Sequence, residues 1–253
     1  MAEAIISVTD LVKNYGDFKA VKGISFEVFE GEIFGLLGPN GAGKSTTLEI
    51  IETLRPKTSG SVKVANFDID KQADAIKSII GVQLQASGYY PGLNLVQLID
   101  LFAGLYNKDV DGIELLRSVN LEEKAKAQFK HLSGGQKQRF SVATTLINQP
   151  KVIFLDEPTT GLDPQARRNL WELIKMINQK GTTVIITTHY MDEAEYLCDR
   201  IAIIDSGEIV ALGNPDQLID DLVATGFERP RQVKSANLED VFIHLTGKSL
   251  RED

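Results

Sequence analysis

The sequence predicts an α/β protein: a mostly parallel sheet flanked by helices, with an antiparallel β subdomain and an inserted helical lobe. Three observations predict it. A short apolar run, residues 33–37, ends in a glycine-rich loop that opens onto a helical stretch, residues 45–54. Two β-branched runs, 151–155 and 182–187, flank a segment where Leu170, Leu173, Ile174 and Ile177 recur at i, i+3, i+4 and i+7, one apolar helix face. Strand, helix and strand at that spacing imply a crossover and parallel pairing. Between the first run and this unit, residues 94–149 change to a helical period, as an inserted lobe of helices would.

The elements follow in order. Over residues 5–34, Val8, Leu11, Val12, Val21, Ile24, Phe26 and Val28 are separated by polar and turn residues, a strand-like pattern. The helix of 45–54 is stopped by Pro56, and 60–67 reads as another strand. Asn94 caps a helix whose third position is Gln97, a variant of the capping box. Leu95, Leu98, Ile99, Phe102 and Tyr106 then recur at helical spacing, and further helices are expected at 113–119 and 135–148. Residues 201–205, Ser206-Gly207 and 208–212 read as a hairpin. The tail after Gly213 is polar and mixed, with a last amphipathic stretch at 238–245.

The chain has 253 residues, of which 43% are hydrophobic and 25% charged, enough apolar side chain for a core of domain size. The formal net charge of -8 disfavours a partner nucleic acid tracked through its phosphates, and equally a polybasic membrane anchor. One cysteine, Cys198, precludes an intrachain disulfide, fits a reducing compartment, and sits beside Leu197 and Ile201 as a packing residue would. The first residues, Met1-Ala2-Glu3-Ala4, have neither the basic nor the apolar region of a signal peptide. No apolar run approaches the ~18 residues of a membrane-spanning helix.

Gly38-Pro39-Asn40-Gly41-Ala42-Gly43-Lys44-Ser45, followed by Thr46, fits G-x-x-x-x-G-K-[ST] at every fixed position. Glycines allow successive backbone N–H groups to turn toward one anion, and the helix behind adds its N-terminal partial charge. Lys44 would reach the β- and γ-phosphates, and the Ser45 hydroxyl would ligate Mg²⁺. A chance match in a chain of this length runs at roughly 1%, so a P-loop NTPase core is expected. Its partner is the run ending in Asp156-Glu157. Asp156 emerges at a strand C-terminus, where open α/β sheets bind ligands, and can hold Mg²⁺. Glu157 can accept a proton from an attacking water.

Leu132-Ser133-Gly134-Gly135-Gln136 is a second anion-binding element, a serine hydroxyl and glycine amides at a helix start. Two phosphate-binding surfaces in one chain require an explanation. With these motifs the chain, from about residue 5 to residue 212, resembles the nucleotide-binding subunit of an ATP-binding cassette (ABC) transporter. That resemblance implies an ATP-dependent homodimer, or a pairing with a similar subunit, in which each ATP is sandwiched between the P-loop of one copy and the Leu132–Gln136 surface of the other. It also implies a polytopic membrane permease as partner, and a peripheral position on the cytoplasmic side of the membrane.

Further residues match the family residue by residue. Tyr15 corresponds to the aromatic that stacks on adenine. Gln85, at the end of Ile80-Gly81-Val82-Gln83-Leu84-Gln85, corresponds to the glutamine that contacts Mg²⁺ and the attacking water, with Gln83 as a nearby alternative register. Asp163 in Gly161-Leu162-Asp163 corresponds to the residue that touches the opposite P-loop, and His189 to the switch histidine on the γ-phosphate. His131 and His244 match nothing. Residues 86–93 lead into the helical lobe and correspond to part of the permease groove; Tyr89 and Tyr90 suit either a partner contact or packing inside the lobe. The ending Leu238-Glu239-Asp240-Val241-Phe242, then Leu245-Thr246-Gly247, resembles that of bacterial drug and antibiotic exporter ATPases, which implies export.

The expected layout is an ATPase domain over 1–222, with its helical lobe at about 86–149, and a short extension over 223–253. Two rival readings are weaker. A soluble cassette ATPase acting on ribosomes or DNA usually carries two cassettes or a long coiled-coil insertion. A P-loop kinase leaves Leu132–Gln136 without a task.

Overall fold

In the computed structural model, residues 3–83 and 88–227 are described. The chain divides into two units, one ending at Leu218 and one beginning at Ile219, and the first holds every described strand. Its first sheet is antiparallel: β1 (Ala4–Tyr15), β2 (Phe18–Phe29), β4 (Ser59–Val64) and β5 (Phe67–Asp68), in the order β2-β1-β4-β5. Its second sheet has six strands: β3 (Ile33–Leu37), β6 (Ile80–Val82), β7 (Val152–Asp156), β8 (Thr183–Thr188), β9 (Arg200–Asp205) and β10 (Glu208–Gly213). Their order is β10-β9-β3-β8-β7-β6. The five strands from β9 to β6 are parallel, and β10 closes the edge antiparallel to β9.

The parallel strands read as continuous apolar runs because both faces are covered. Side chains alternate across the sheet, and the alternation sorts them into two cores. Ile33, Leu37, Ile153, Leu155, Val184 and Ile186 face one core, which also takes in the helical lobe. Phe34, Leu36, Val152, Phe154 and Ile185 face the other, shared with the antiparallel sheet and with Leu48, Ile50 and Ile51 of α1 (Lys44–Ile51). Cys198 is buried in the first core, and burial raises its thiol well above the usual range, so it packs as an inert apolar group.

Between β5 and β6 lies α2 (Ala73–Ile79). The lobe comprises α3 (Leu95–Leu105), α4 (Gly112–Ser118), two single 3₁₀ turns and α5 (Gly134–Thr145). The capping box at α3 forms as expected: Asn94 Oδ1 accepts from Gln97 N at 2.9 Å, and Asn94 N donates to Gln97 Oε1 at 3.0 Å. After β7 come α6 (Pro164–Gln179), β8 and α7 (Met191–Leu197), and α8 spans Pro215–Ala224. The mostly parallel sheet, the antiparallel subdomain and the helical lobe are the fold that the sequence predicts. None of the described helices is long and apolar enough to cross a membrane.

Candidate nucleotide site

The loop between β3 and α1 is shaped by what surrounds it. A Cβ on Gly38 would lie 2.1 Å from the Ile204 carbonyl oxygen, and one on Gly43 would lie 2.6 Å from that of Ala20. Gly43 is also the N-cap of α1 at φ 104°, and Gly41 sits at φ 82°, both in the left-handed region that disfavours other residues. Ala42 is buried, its carbonyl accepting from Gly207 N. The Lys44 side chain is 4% exposed and donates to the carbonyls of Gly38 at 2.8 Å and Pro39 at 3.1 Å. A nearly dehydrated ammonium held against the carbonyls of a glycine-rich loop suits a polyanion.

The strand alternation delivers the carboxylates. Asp156 continues the Val152–Phe154 face of β7, the side on which α1 packs, so Ser45 Oγ donates to Asp156 Oδ1 at 3.2 Å. Glu157 follows with φ 45°, which swings it out of the strand. Its Oε1 lies 3.5 Å from Lys44 Nζ and 3.3 Å from His189 Nδ1, the latter too oblique for a hydrogen bond. Its Oε2 accepts from Thr160 Oγ1 at 3.3 Å. His189, just past β8, packs its ring against Tyr190 at 4.1 Å. Lys44, Ser45, Asp156, Glu157 and His189 are thus brought together from three segments: the start of α1, the end of β7 and the residue just past β8.

A cleft of about 280 Å³ opens beside them, lined by Tyr15, Phe18, Asn40, Gly41, Lys44 and Thr46 among others. Tyr15 has Lys13 Nζ 5.0 Å and Arg55 Cζ 5.5 Å from its ring centre. The hydroxyl of Ser45 and the carboxylate of Asp156 form a hard oxygen pair, and together with phosphate oxygens they fit Mg²⁺. Gln85 lies outside the described residues. Gln83 turns to the lobe, donating from Nε2 to Gln138 Oε1 at 3.0 Å.

Leu132–Gln136 forms a separate surface. Ser133 is the N-cap of α5: its Oγ accepts from Gln136 N at 3.3 Å, and its own N donates to Gln136 Oε1 at 2.9 Å. This arrangement leaves the Ser133 hydroxyl proton free to point outward. The N–H groups of Gly134 and Gly135, in the first turn, have no acceptor within their own helix. A groove of about 480 Å³ runs beside them, lined also by Arg139, Gly161 and Asp163. Asp163 caps α6, accepting from Ala166 N at 2.8 Å. The cleft at the P-loop and the groove at Ser133 have no lining residue in common.

Several residues emerge only from the structure. Phe18 lines the cleft; Thr160 and Thr187 hold the two carboxylates. Thr187 had a signal in the sequence, as a hydroxyl continuing the apolar run Val184–Ile186. The two tyrosines separate: Tyr89 is 9% exposed and packs on Phe102, Phe129 and Phe140, whereas Tyr90 is 63% exposed. His131 is exposed at the surface of the lobe. His244 and the ending from Leu238 to Gly247 lie outside the described residues.

The family model for ABC transporters matches residues 21–160. The chain is 41% identical to the linearmycin resistance ATP-binding protein LnrL of Bacillus subtilis (strain 168), covering 86% of this chain and 72% of that one. It is 40% identical to a Nod factor export ATP-binding protein I of Cupriavidus metallidurans, covering 98% and 99%. Among solved structures it is similar to cbiO1 of Clostridium perfringens, part of the ABC transporter complex cbiONQ, with a TM-score of 0.77, 29% identity and coverage of 90% and 97%. It is also similar to the dimeric ATP-binding cassette MJ0796 bound to ADP and Pi, with a TM-score of 0.74, 28% identity and coverage of 83% and 98%.

Proposed function

Because the chain belongs to the ABC transporter family, as an ATP-binding subunit that hydrolyses ATP for transport, we propose that two copies close head to tail over two ATP molecules and drive export through separate membrane subunits. The observation that carries this reading is the separation of the P-loop cleft from the Ser133 groove within one chain. Each is half of a phosphate clamp, and a second copy supplies the other half. The relatives named for linearmycin resistance and Nod factor export support the direction of transport. The exposed Tyr90 is a contact for the permease, which makes the chain peripheral to the membrane on its cytoplasmic side.

In this reading the P-loop amides and Lys44 hold the β- and γ-phosphates, Tyr15 stacks on the base, and His189 contacts the γ-phosphate. Glu157 takes a proton from the water that attacks in line with the leaving oxygen. Ser45 and Asp156, with Gln85, would hold Mg²⁺, which supplies charge neutralisation on the phosphate oxygens. The partner's copies of Ser133, Gly134, Gly135 and Gln136 donate to the γ-phosphate from across the seam, and Asp163 meets the partner's P-loop. Hydrolysis and loss of phosphate remove the anion that both halves grip, so the dimer opens.

Two measurements test this. Glu157→Gln should bind ATP with unchanged affinity, lose turnover and remain a dimer with ATP on size exclusion; near-normal turnover removes Glu157 from the role of base. Detergent purification of the tagged chain should recover a polytopic membrane protein. Recovery of ribosomes or DNA in its place would overturn the transport reading.

A further inference from the structure

We infer that Thr187 is a positioning residue that fixes both working carboxylates at once, through a single buried hydroxyl. The inference rests on the reading that Asp156 helps to hold the divalent cation and that Glu157 is the base. Thr187 pairs directly with Asp156 across the parallel strands β8 and β7, and side chains at paired positions share a face of the sheet. Thr187 is fully buried. Its Oγ1 donates to Asp156 Oδ1 and accepts from Glu157 N at 3.0 Å. The same Oδ1 accepts from Ser45 Oγ at 3.2 Å.

The consequences follow from what a hydroxyl can do. It has one proton, and here that proton is given to Oδ1; its lone pairs then face the Glu157 amide. Two hydroxyls on Oδ1 fix the plane of the Asp156 carboxylate, and with it the direction in which Oδ2 is presented. The bond to the Glu157 amide, joined by one to the Thr187 carbonyl at 3.2 Å, holds Glu157 in its left-handed conformation at φ 45°. That conformation is costly for a residue with a Cβ. It is also what turns the Glu157 side chain toward Lys44 and His189. Thr187 therefore couples the aim of the cation ligand to the reach of the base.

Thr187→Val keeps the shape, the β-branching and the strand hydrogen bonds while deleting the hydroxyl. Thr187→Ser keeps the hydroxyl and deletes a methyl group. Mn²⁺ binding is followed by electron paramagnetic resonance on each variant in complex with adenylyl imidodiphosphate, a non-hydrolysable ATP analogue, and turnover is measured separately with ATP. Loss of an outer-shell partner weakens metal affinity by roughly 10–100-fold, and Thr187→Val should fall in that range, with kcat reduced and KM for ATP little changed. Thr187→Ser should stay close to the parent on both readouts. If Thr187→Val does not fold, Thr187→Ala deletes the same hydroxyl and is read in the same way.

Wild-type Mn²⁺ affinity in the hydroxyl-free variant overturns the inference, as does a serine variant as impaired as the valine one. Normal turnover in Glu157→Gln would instead overturn the underlying assignment of the base, and the Mn²⁺ arm would still judge Thr187.

Discussion

The two helix starts that we propose to meet phosphate are built in opposite ways. At α1 the N-cap is Gly43, which has no side chain to satisfy the helix, and the loop before it is wedged against the carbonyls of Ala20 and Ile204. A buried lysine and two carboxylates stand beside it. At α5 the N-cap is Ser133, which closes a capping box with Gln136. Ideal Cβ atoms on Gly134 and Gly135 would meet only side-chain atoms of Leu162 and Ala166 within 3.7 Å, apart from one Ala166 backbone atom farther off. The first site is rigid, charged and chemically equipped. The second is a self-capped surface that lines an open groove. On the reading proposed above, one chain carries a catalytic half and a recognition half, and a second copy brings the halves together.

The largest effect should come from the catalytic half. Glu157→Gln should lower steady-state ATPase by roughly 10²–10⁴-fold, the range for loss of a general base, while fluorescent-nucleotide binding stays unchanged. Gly43→Ala should damage the fold itself. It forces a Cβ onto the Ala20 carbonyl at φ 104°, for an expected loss of about 2–4 kcal/mol in urea unfolding. Gly134→Ala sharpens the contrast: its new methyl meets only Leu162 at 3.7 Å. Stability should hold or rise by about 0.5–1 kcal/mol, as for alanine replacing glycine in a helix, yet ATPase should fall because the methyl intrudes on the anion surface. Equal stability losses at both glycines would erase the distinction.

A further difference concerns pH. Glu52, at the end of α1, is 4% exposed, and burial, with Asp156 and Glu49 adding repulsion, pushes its carboxyl up from 4.5 to about 8. The buried polar residues of α5 are Ser141, Thr144 and Thr145, none of them charged. The folded chain therefore keeps a proton on Glu52 that the unfolded chain releases near pH 4.5. Its contribution to stability is complete below that pH and is lost as pH rises through about 8. Glu52→Gln should flatten this dependence, gaining on the order of 5 kcal/mol over the parent at pH 9 relative to pH 4, at about 1.4 kcal/mol per unit of the shift from 4.5 to about 8. Parallel stability curves for the two proteins would show that Glu52 titrates normally.

Much of this was legible in the sequence because the relevant constraints are local. The P-loop glycines answer to backbone angles and close approaches, which only glycine tolerates, so their spacing survives as a motif. The capping box at Asn94 needs residues only three positions apart, and the helix start at Ser133 is written in five consecutive residues. Buried strands such as β7 and β8 announce themselves as apolar runs. What escaped was set by distant partners. The short helices α2 and α7 were not read from the sequence, whereas α4, equally short, was; α7 is tied to α6 by a hydrogen bond from Trp171 Nε1 to Glu193 Oε1 at 2.9 Å. Thr187 acquires its meaning only from strand register, which sets it opposite Asp156.

The most direct test mixes two disabled chains. Lys44→Ala removes the lysine proposed to bind phosphate, and Ser133→Arg blocks the groove beside α5, so each variant alone should be inactive. In a head-to-tail dimer of one of each, both lesions fall on one site and the other site is intact. An equimolar, equilibrated mixture should then recover about a quarter of the parent ATPase, since half the dimers are mixed and each has one working site of two. A mixture that stays inactive while native mass spectrometry shows the mixed dimer would mean that the two surfaces do not meet across a seam.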